Sequence, residues 1–94
     1  MAMLDDVKDA LRLSGTDLDT EVSDLISAAR QDLILSGVLS SIANVDNNAL
    51  VKRAIILYSK THFGWDNPEA VRFQTAYDTL KRHLTLSEDF TVAP

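Results

Sequence analysis

Apolar residues recur along this chain at the three- and four-residue spacing of amphipathic helices. Four segments carry the pattern, and we predict helices over residues 4–13, 17–36, 47–63 and 68–84. Three of the four end beside a glycine, the residue that most easily adopts the left-handed backbone closing many helices. Strand-like alternation is too scattered to compete with these segments. The predicted fold class is therefore all-α, a small bundle of about four helices with a C-terminal extension.

The third segment is predicted to be the central helix of the bundle. Its apolar positions cover more of the helix circumference than a single stripe, which is typical of a helix surrounded by others. Asp46 or Asn47 is the expected N-cap, and Gly64 is expected to end the helix. The predicted core-facing residues, which we expect to be mainly structural, are Leu50, Ala54, Leu57, Tyr58 and Thr61, with Val51 and Ile55 on one flank.

Turn-forming residues predict the remaining boundaries. Ser14-Gly15 is expected to end the first helix. Asn67 is expected to cap the fourth helix, with Pro68 at its first helical position. Residues 38–45 are predicted to form a loop, because polar residues interrupt the apolar ones there.

The C-terminal residues 85–94 are predicted to be a tail outside a single helical domain of residues 1–84. Nothing caps a helix there, and spaced apolar residues in a short terminal segment favour ordering against a partner. The aromatic turn around Gly64 is a second candidate contact, since Trp is enriched at binding hot spots, although such a Trp more often fills the core. The candidate interaction residues are Phe63, Trp65, Leu86, Phe90 and Val92.

The charge of the chain is negative and unevenly distributed. The 94 residues carry a net charge of −5, to which residues 1–47 contribute −6 and residues 48–94 contribute +1. Bases do not cluster on any one predicted helix, so we expect neither a basic groove nor a helix-turn-helix contact with nucleic acid. The unevenness permits head-to-tail contact between copies, or docking on a basic partner.

The composition restricts which kinds of site and which cellular location we expect. The chain has no cysteine, which excludes a disulfide framework, a thiolate zinc site and a cysteine nucleophile. The N-terminus lacks the order of a signal peptide, and no stretch approaches the roughly 20 apolar residues of a membrane span. We expect a soluble protein, intracellular where it is made. A chain of this size buries only about 60–65% of its unfolded surface, so oligomer formation would add stability.

The residues that commonly carry catalysis form no recognisable site. His62 and His83 are the two imidazoles, and they lie on different predicted helices. Both are best explained as residues near helix ends, where the dipole favours positive charge. An acid–base pair of His62 with Asp66 is the weaker alternative. We predict that the chain is not an enzyme and uses no cofactor.

Two other classes of protein fail on their diagnostic residues. Asp17, Asp19 and Glu21 alternate as in a calcium loop, but the central Gly and the closing Glu of an EF-hand are missing. We therefore predict no metal site. An acyl carrier protein needs an Asp-Ser-Leu context for its prosthetic arm, and this chain has Ser23-Asp24-Leu25 instead.

The central helix and the turn after it resemble a known family. Residues 54–70, AIILYSKTHFGWDNPEA, are similar to the core of head–tail connector proteins of tailed phages of the siphophage type, also called head-completion adaptors. The similarity is most specific over residues 50–90 and looser at the front of the chain. It continues through Arg72-Phe73, Tyr77-Asp78, Leu80-Lys81 and Leu84-Thr85-Leu86-Ser87, with Leu25-Ile26-Ser27-Ala28-Ala29-Arg30 at the front.

The resemblance implies a structural protein of the virion without catalysis or cofactor. Members of such a family assemble as a ring, typically twelvefold, below the portal protein at the head–tail junction. The ring extends the DNA channel, through which DNA passes without sequence-specific binding, and it joins the head to the next neck or tail-completion protein. The resemblance further implies assembly in the host cytoplasm, no membrane, and a possible monomer in isolation. The alternative is a soluble acidic helical module or regulator that acts through one protein partner.

Overall fold

The computed structural model of the chain describes residues 2–64 and 67–92. These residues contain no strand and form six helices. The helices are α1 (Met3–Leu11), α2 (Asp19–Leu35), α3 (Ser40–Ala43), α4 (Ala49–His62), α5 (Ala70–Thr85) and α6 (Glu88–Thr91). The predicted all-α fold class, a small helical bundle, is therefore confirmed.

α4 is the central helix, as its apolar pattern predicted. It packs against α1, α2 and α5, and Val51, Ala54 and Ile55 are completely buried. The prediction that Leu50 faces the core was wrong, because 49% of this residue is exposed. With helices on several sides, the buried arc of α4 extends toward Val51 and Ile55 and leaves Leu50 at its edge.

The ends of α4 differ in part from the prediction. Asn48, not Asp46 or Asn47, is the N-cap, and its Oδ1 accepts hydrogen bonds from the backbone N–H groups of Leu50 and Val51, both at 3.1 Å. Asp46 instead forms an ion pair with Arg30 at 2.7 Å. Gly64 follows the helix with a φ of 85°, which fits its predicted role at the helix end.

Two other helix ends also correct the prediction. α1 ends at Leu11, and its C-cap is Arg12, which takes the left-handed conformation with a φ of 60°. Gly15, with a φ of 79°, lies beyond this helix end. The N–H of Leu13 then donates a hydrogen bond of 2.9 Å to the carbonyl of Lys8, which would otherwise have no partner at the helix end. Asn67 caps the turn before α5 and not the helix itself, since its Oδ1 accepts from the N–H of Glu69 and α5 begins at Ala70.

Two short helices lie where the sequence predicted none. α3 lies within the segment 38–45 that was predicted to be a loop, and α6 lies in the predicted tail. The two segments are joined by a hydrogen bond of 2.9 Å from the N–H of Leu39 to the carbonyl of Phe90. Single helical turns of this length form through such tertiary contacts, because four residues are too few to be stable alone.

A polar cluster joins α2 to α5. The Asp32 carboxylate accepts hydrogen bonds from the Tyr77 hydroxyl at 2.5 Å and from the Lys81 ammonium at 3.0 Å. Burial acts to raise the pKa of Asp32, but the hydrogen bonds from Tyr77 and Lys81 and the Lys81 charge outweigh it, so the pKa falls below its ordinary value of 3.8. Burial and the Asp32 carboxylate raise the pKa of the Tyr77 phenol. At neutral pH the carboxylate is therefore ionised and the phenol protonated.

The position of the buried face on α4 can be tested by two truncations of one helix. Ile55→Ala removes a fully buried side chain and should lower the free energy of unfolding by about 2–5 kcal/mol. Leu50→Ala removes a half-exposed side chain and should cost less than about 1 kcal/mol. Urea denaturation measures both, and equal losses would contradict the face described here.

The Asp32 cluster predicts a pH dependence of stability. Because the folded-state pKa of Asp32 is lowered, its stabilisation is present above the unfolded-state pKa and is lost as the pH falls through the folded value. Tyr77→Phe should cost roughly 1–2 kcal/mol near neutral pH, since the lost bond is to a charged group that is partly solvated. The difference between wild type and Tyr77→Phe should shrink on acidification below about pH 4. Urea denaturation at a series of pH values measures this difference in the free energy of unfolding. A difference independent of pH would contradict the lowered pKa of Asp32.

Candidate interaction surface

Two adjoining cavities open between α4, α5 and the end of α1. Their volumes are about 260 and 380 Å³, and both are lined by Lys60 and Phe73. Together they form one shallow concave surface along the exposed side of α4. We call this surface the basic groove, and its defining residues are Arg12, Arg53, Lys60, Phe63, Arg72 and Phe73.

Helical spacing brings the groove residues together. Arg53 and Lys60 lie seven residues apart, which is about two turns of α4, so both point to the same side. Phe73 of α5 lies beside them, with the Lys60 Nζ at 5.3 Å and the Arg72 Cζ at 5.1 Å from its ring centroid. These distances are those of cation–π contacts, which hold the cations near an apolar surface. The groove thus combines positive charge with a partly exposed aromatic ring.

Positive charge without an ion-pair partner is concentrated in this groove. Among the described residues, five of the bases form salt bridges, and Arg12, Arg53, Lys60 and Arg82 do not. Three of these four line the groove. The expectation that the chain has no basic groove was therefore wrong. The bases come from α4, α5 and the end of α1, so no single helix reveals them in the sequence.

The sequence-predicted interaction residues fall in different environments. Phe63 is half-buried and lines the groove, whereas Phe90 is half-buried against the core of its own chain. Leu86 and Val92 are exposed, at 78% and 59%. Trp65 lies outside the described residues. The structure thus brings only Phe63 into the groove, and a role in interaction stays a prediction for all five.

Two further apolar side chains are exposed on long helices. Leu35 at the end of α2 is 85% exposed, and Val71 in the first turn of α5 is 81% exposed. Both lie off the buried stripe of their helix. Single exposed apolar side chains are common on protein surfaces and do not by themselves mark a contact site.

The residues considered for catalysis lie apart from this groove. His62 is exposed, with its ring centroid 4.4 Å from that of Tyr58, and His83 is exposed near the end of α5. Asp66, the suggested partner of His62, lies outside the described residues. A third cavity, of about 560 Å³, is lined by Leu18, Glu21, His62 and Gly64.

The calcium-loop pattern does not form a cluster of ligands. Asp19 pairs with Lys8 at 2.7 Å, and Lys8 also donates to the carbonyl of Gly15. Within residues 2–64 and 67–92, no three His, Cys, Asp or Glu side chains are grouped so that they could hold a metal ion. No helix in that part of the chain is long and apolar enough to cross a membrane.

The fold and the groove define a small all-α protein with a concave, basic surface between its helices. A family model described as phage connector protein matches residues 3–91. Since this match covers nearly the whole chain, the chain belongs to the phage connector protein family, and the family resemblance read from the sequence is confirmed. The protein is thus a component of the phage virion. Searches of curated proteins and of solved structures gave no match.

The packing of the C-terminal segment predicts unequal effects of truncating its apolar residues. Phe90→Ala should lower the free energy of unfolding by about 1–3 kcal/mol, because Phe90 is half-buried against the core. Val92→Ala should change it by less than about 0.5 kcal/mol, because most of this side chain is exposed. Thermal unfolding followed by circular dichroism measures both. An unchanged stability for Phe90→Ala would contradict the docking of α6 on the bundle.

Proposed function

We propose that this protein is a head–tail connector that assembles as a ring below the portal, extends the DNA channel and joins the head to the neck or tail. The observation that carries the proposal is the family match, which spans residues 3–91. The protein acts through its surfaces, without catalysis or a bound cofactor. Its partners are the portal protein on one side and the next neck or tail-completion protein on the other.

The physical properties of the chain support a role in assembly. A domain of 94 residues buries a modest part of its surface, so contacts with neighbouring copies would add to its stability. Exposed Leu35, Val71 and Leu86 are apolar side chains that such contacts would cover. The ring is expected to be twelvefold in the virion and to assemble in the host cytoplasm.

The net charge supports passage of DNA through the ring. A chain of net charge −5 repels the phosphate backbone at long range, which disfavours tight non-specific binding. DNA would then pass the connector without being held by it. This property is needed in a channel and would hinder a protein that binds nucleic acid.

A second candidate is a soluble helical module that acts through one protein partner. The observation in its favour is Phe63, which precedes Gly64 and lines the basic groove. This candidate predicts a one-to-one complex that Trp65→Ala weakens. A normal affinity after Trp65→Ala would count against it, whereas a ring on the portal would favour the connector.

Electron microscopy with the portal protein of the same phage tests the proposed function. Mixed with portal, the wild-type chain should form rings stacked on the portal and coaxial with it. Chains that remain monomeric without portal are compatible with the proposal, because the portal provides the template. If the chain neither forms rings nor binds the portal at high concentration, the proposal is refuted. A portal from an unrelated phage is the control for specificity.

A further inference from the structure

The described surface carries charges of opposite sign on different helices. The basic groove lies between α4, α5 and the end of α1, and most of its bases have no ion-pair partner among the described residues. On the outer side of α2 and the turn before it, Asp17, Glu21 and Asp24 are exposed and form no salt bridge with any described residue. We call these three residues the acidic face.

The basic groove and the acidic face each lie on the side of a helix that points away from the core. Lys60 lies nine residues after buried Val51, which is two and a half turns of α4, so it is on the side opposite the core. Asp24 lies two residues from both Val22 and Ile26, which are buried, so it points away from the core as well. Both sets of charges are therefore accessible to another copy.

We propose that the basic groove receives the acidic face of a neighbouring copy. This contact rests on the proposed ring assembly, and it identifies the two surfaces through which neighbouring copies would bind each other. Two different surfaces in contact make a heterologous, head-to-tail interface, and repetition of such a contact closes a ring when the rotation permits. A symmetric contact of groove with groove would instead place like charges against each other, which is unfavourable.

The chemistry of the groove fits a carboxylate-bearing surface. Arg53 and Lys60 place two cations along one side of α4, and Glu21 and Asp24 place two carboxylates along one side of α2, and such groups form charge-assisted hydrogen bonds when they meet. Phe73 supplies an apolar surface between the cations, where water is partly excluded and charge pairing is stronger. DNA is the less favoured occupant, because the net charge of −5 opposes its approach.

A charge-swap experiment tests the proposal. The groove variant carries Arg53→Glu and Lys60→Glu, and the face variant carries Glu21→Lys and Asp24→Lys. Each variant alone reverses two charges on one side of the contact and so removes its charge complementarity, and its self-association should fall by about tenfold or more. A mixture of the two variants should recover association, because the reversed charges of one variant then meet the reversed charges of the other. Sedimentation velocity at low salt measures it, with and without portal protein.

Matched controls separate this contact from general charge effects. The single variant Lys60→Glu should also weaken self-association. Arg82→Glu makes the same change of charge outside the groove, and it should leave self-association within about twofold of wild type. Circular dichroism of every variant checks that the helices are retained. These substitutions are at exposed or half-buried side chains, so the fold should persist.

Four results would overturn the proposal. The first is a mixture that fails to recover association, and the second is a wild-type chain that does not self-associate even on the portal. The third is binding of a short DNA duplex that the groove variant abolishes, which would assign the groove to DNA. The fourth is a groove variant that still forms normal rings on the portal, in which case the groove assignment fails while the connector function stands. If the wild-type chain neither forms rings nor binds portal, the proposed function fails with it.

Discussion

The burial of α4 is the constraint on which the rest of the structure depends. Val51, Ala54 and Ile55 are completely buried because α1, α2 and α5 all pack on this helix. These helices leave part of its circumference open, on the side opposite Val51, and Arg53 and Lys60 lie there. The packing that forms the core therefore also determines which side of α4 remains available to a partner.

The Asp32 cluster is the second constraint, because it fixes α5 relative to α2. Tyr77 and Lys81 are one turn apart on α5, and both bind the same carboxylate. Phe73 lies one turn before Tyr77 on the same side, which brings its ring close to Lys60 of α4. The Asp32 cluster therefore adds a polar link from α2 to the helix that contributes Phe73 to the groove.

Periodicity was sufficient to predict the four long helices, because each repeats its apolar spacing over several turns. It was insufficient for α3 and α6, which are single turns held in part by the hydrogen bond between Leu39 and Phe90. It also misplaced Leu50, since the number of neighbours around a helix is a tertiary property. The basic groove was not predicted, for a similar reason. Its bases are distributed over distant segments, and only the folded chain brings Arg12 near Lys60.

The distribution of ion pairs explains how an acidic chain keeps an exposed basic surface. Lys8, Arg30 and Lys52 are paired with acids of the chain itself, so the bases near the N-terminal half are largely neutralised. The bases without an ion-pair partner among the described residues are Arg53 and Lys60 on α4, Arg82 on α5 and Arg12 at the end of α1. Surface ion pairs contribute only about 0–1 kcal/mol each, so a contact built from a few of them is weak between two copies. In a closed ring each copy has two neighbours, and a template that raises the local concentration favours closure. Weak charged contacts are therefore suited to an assembly that forms on its partner and not before.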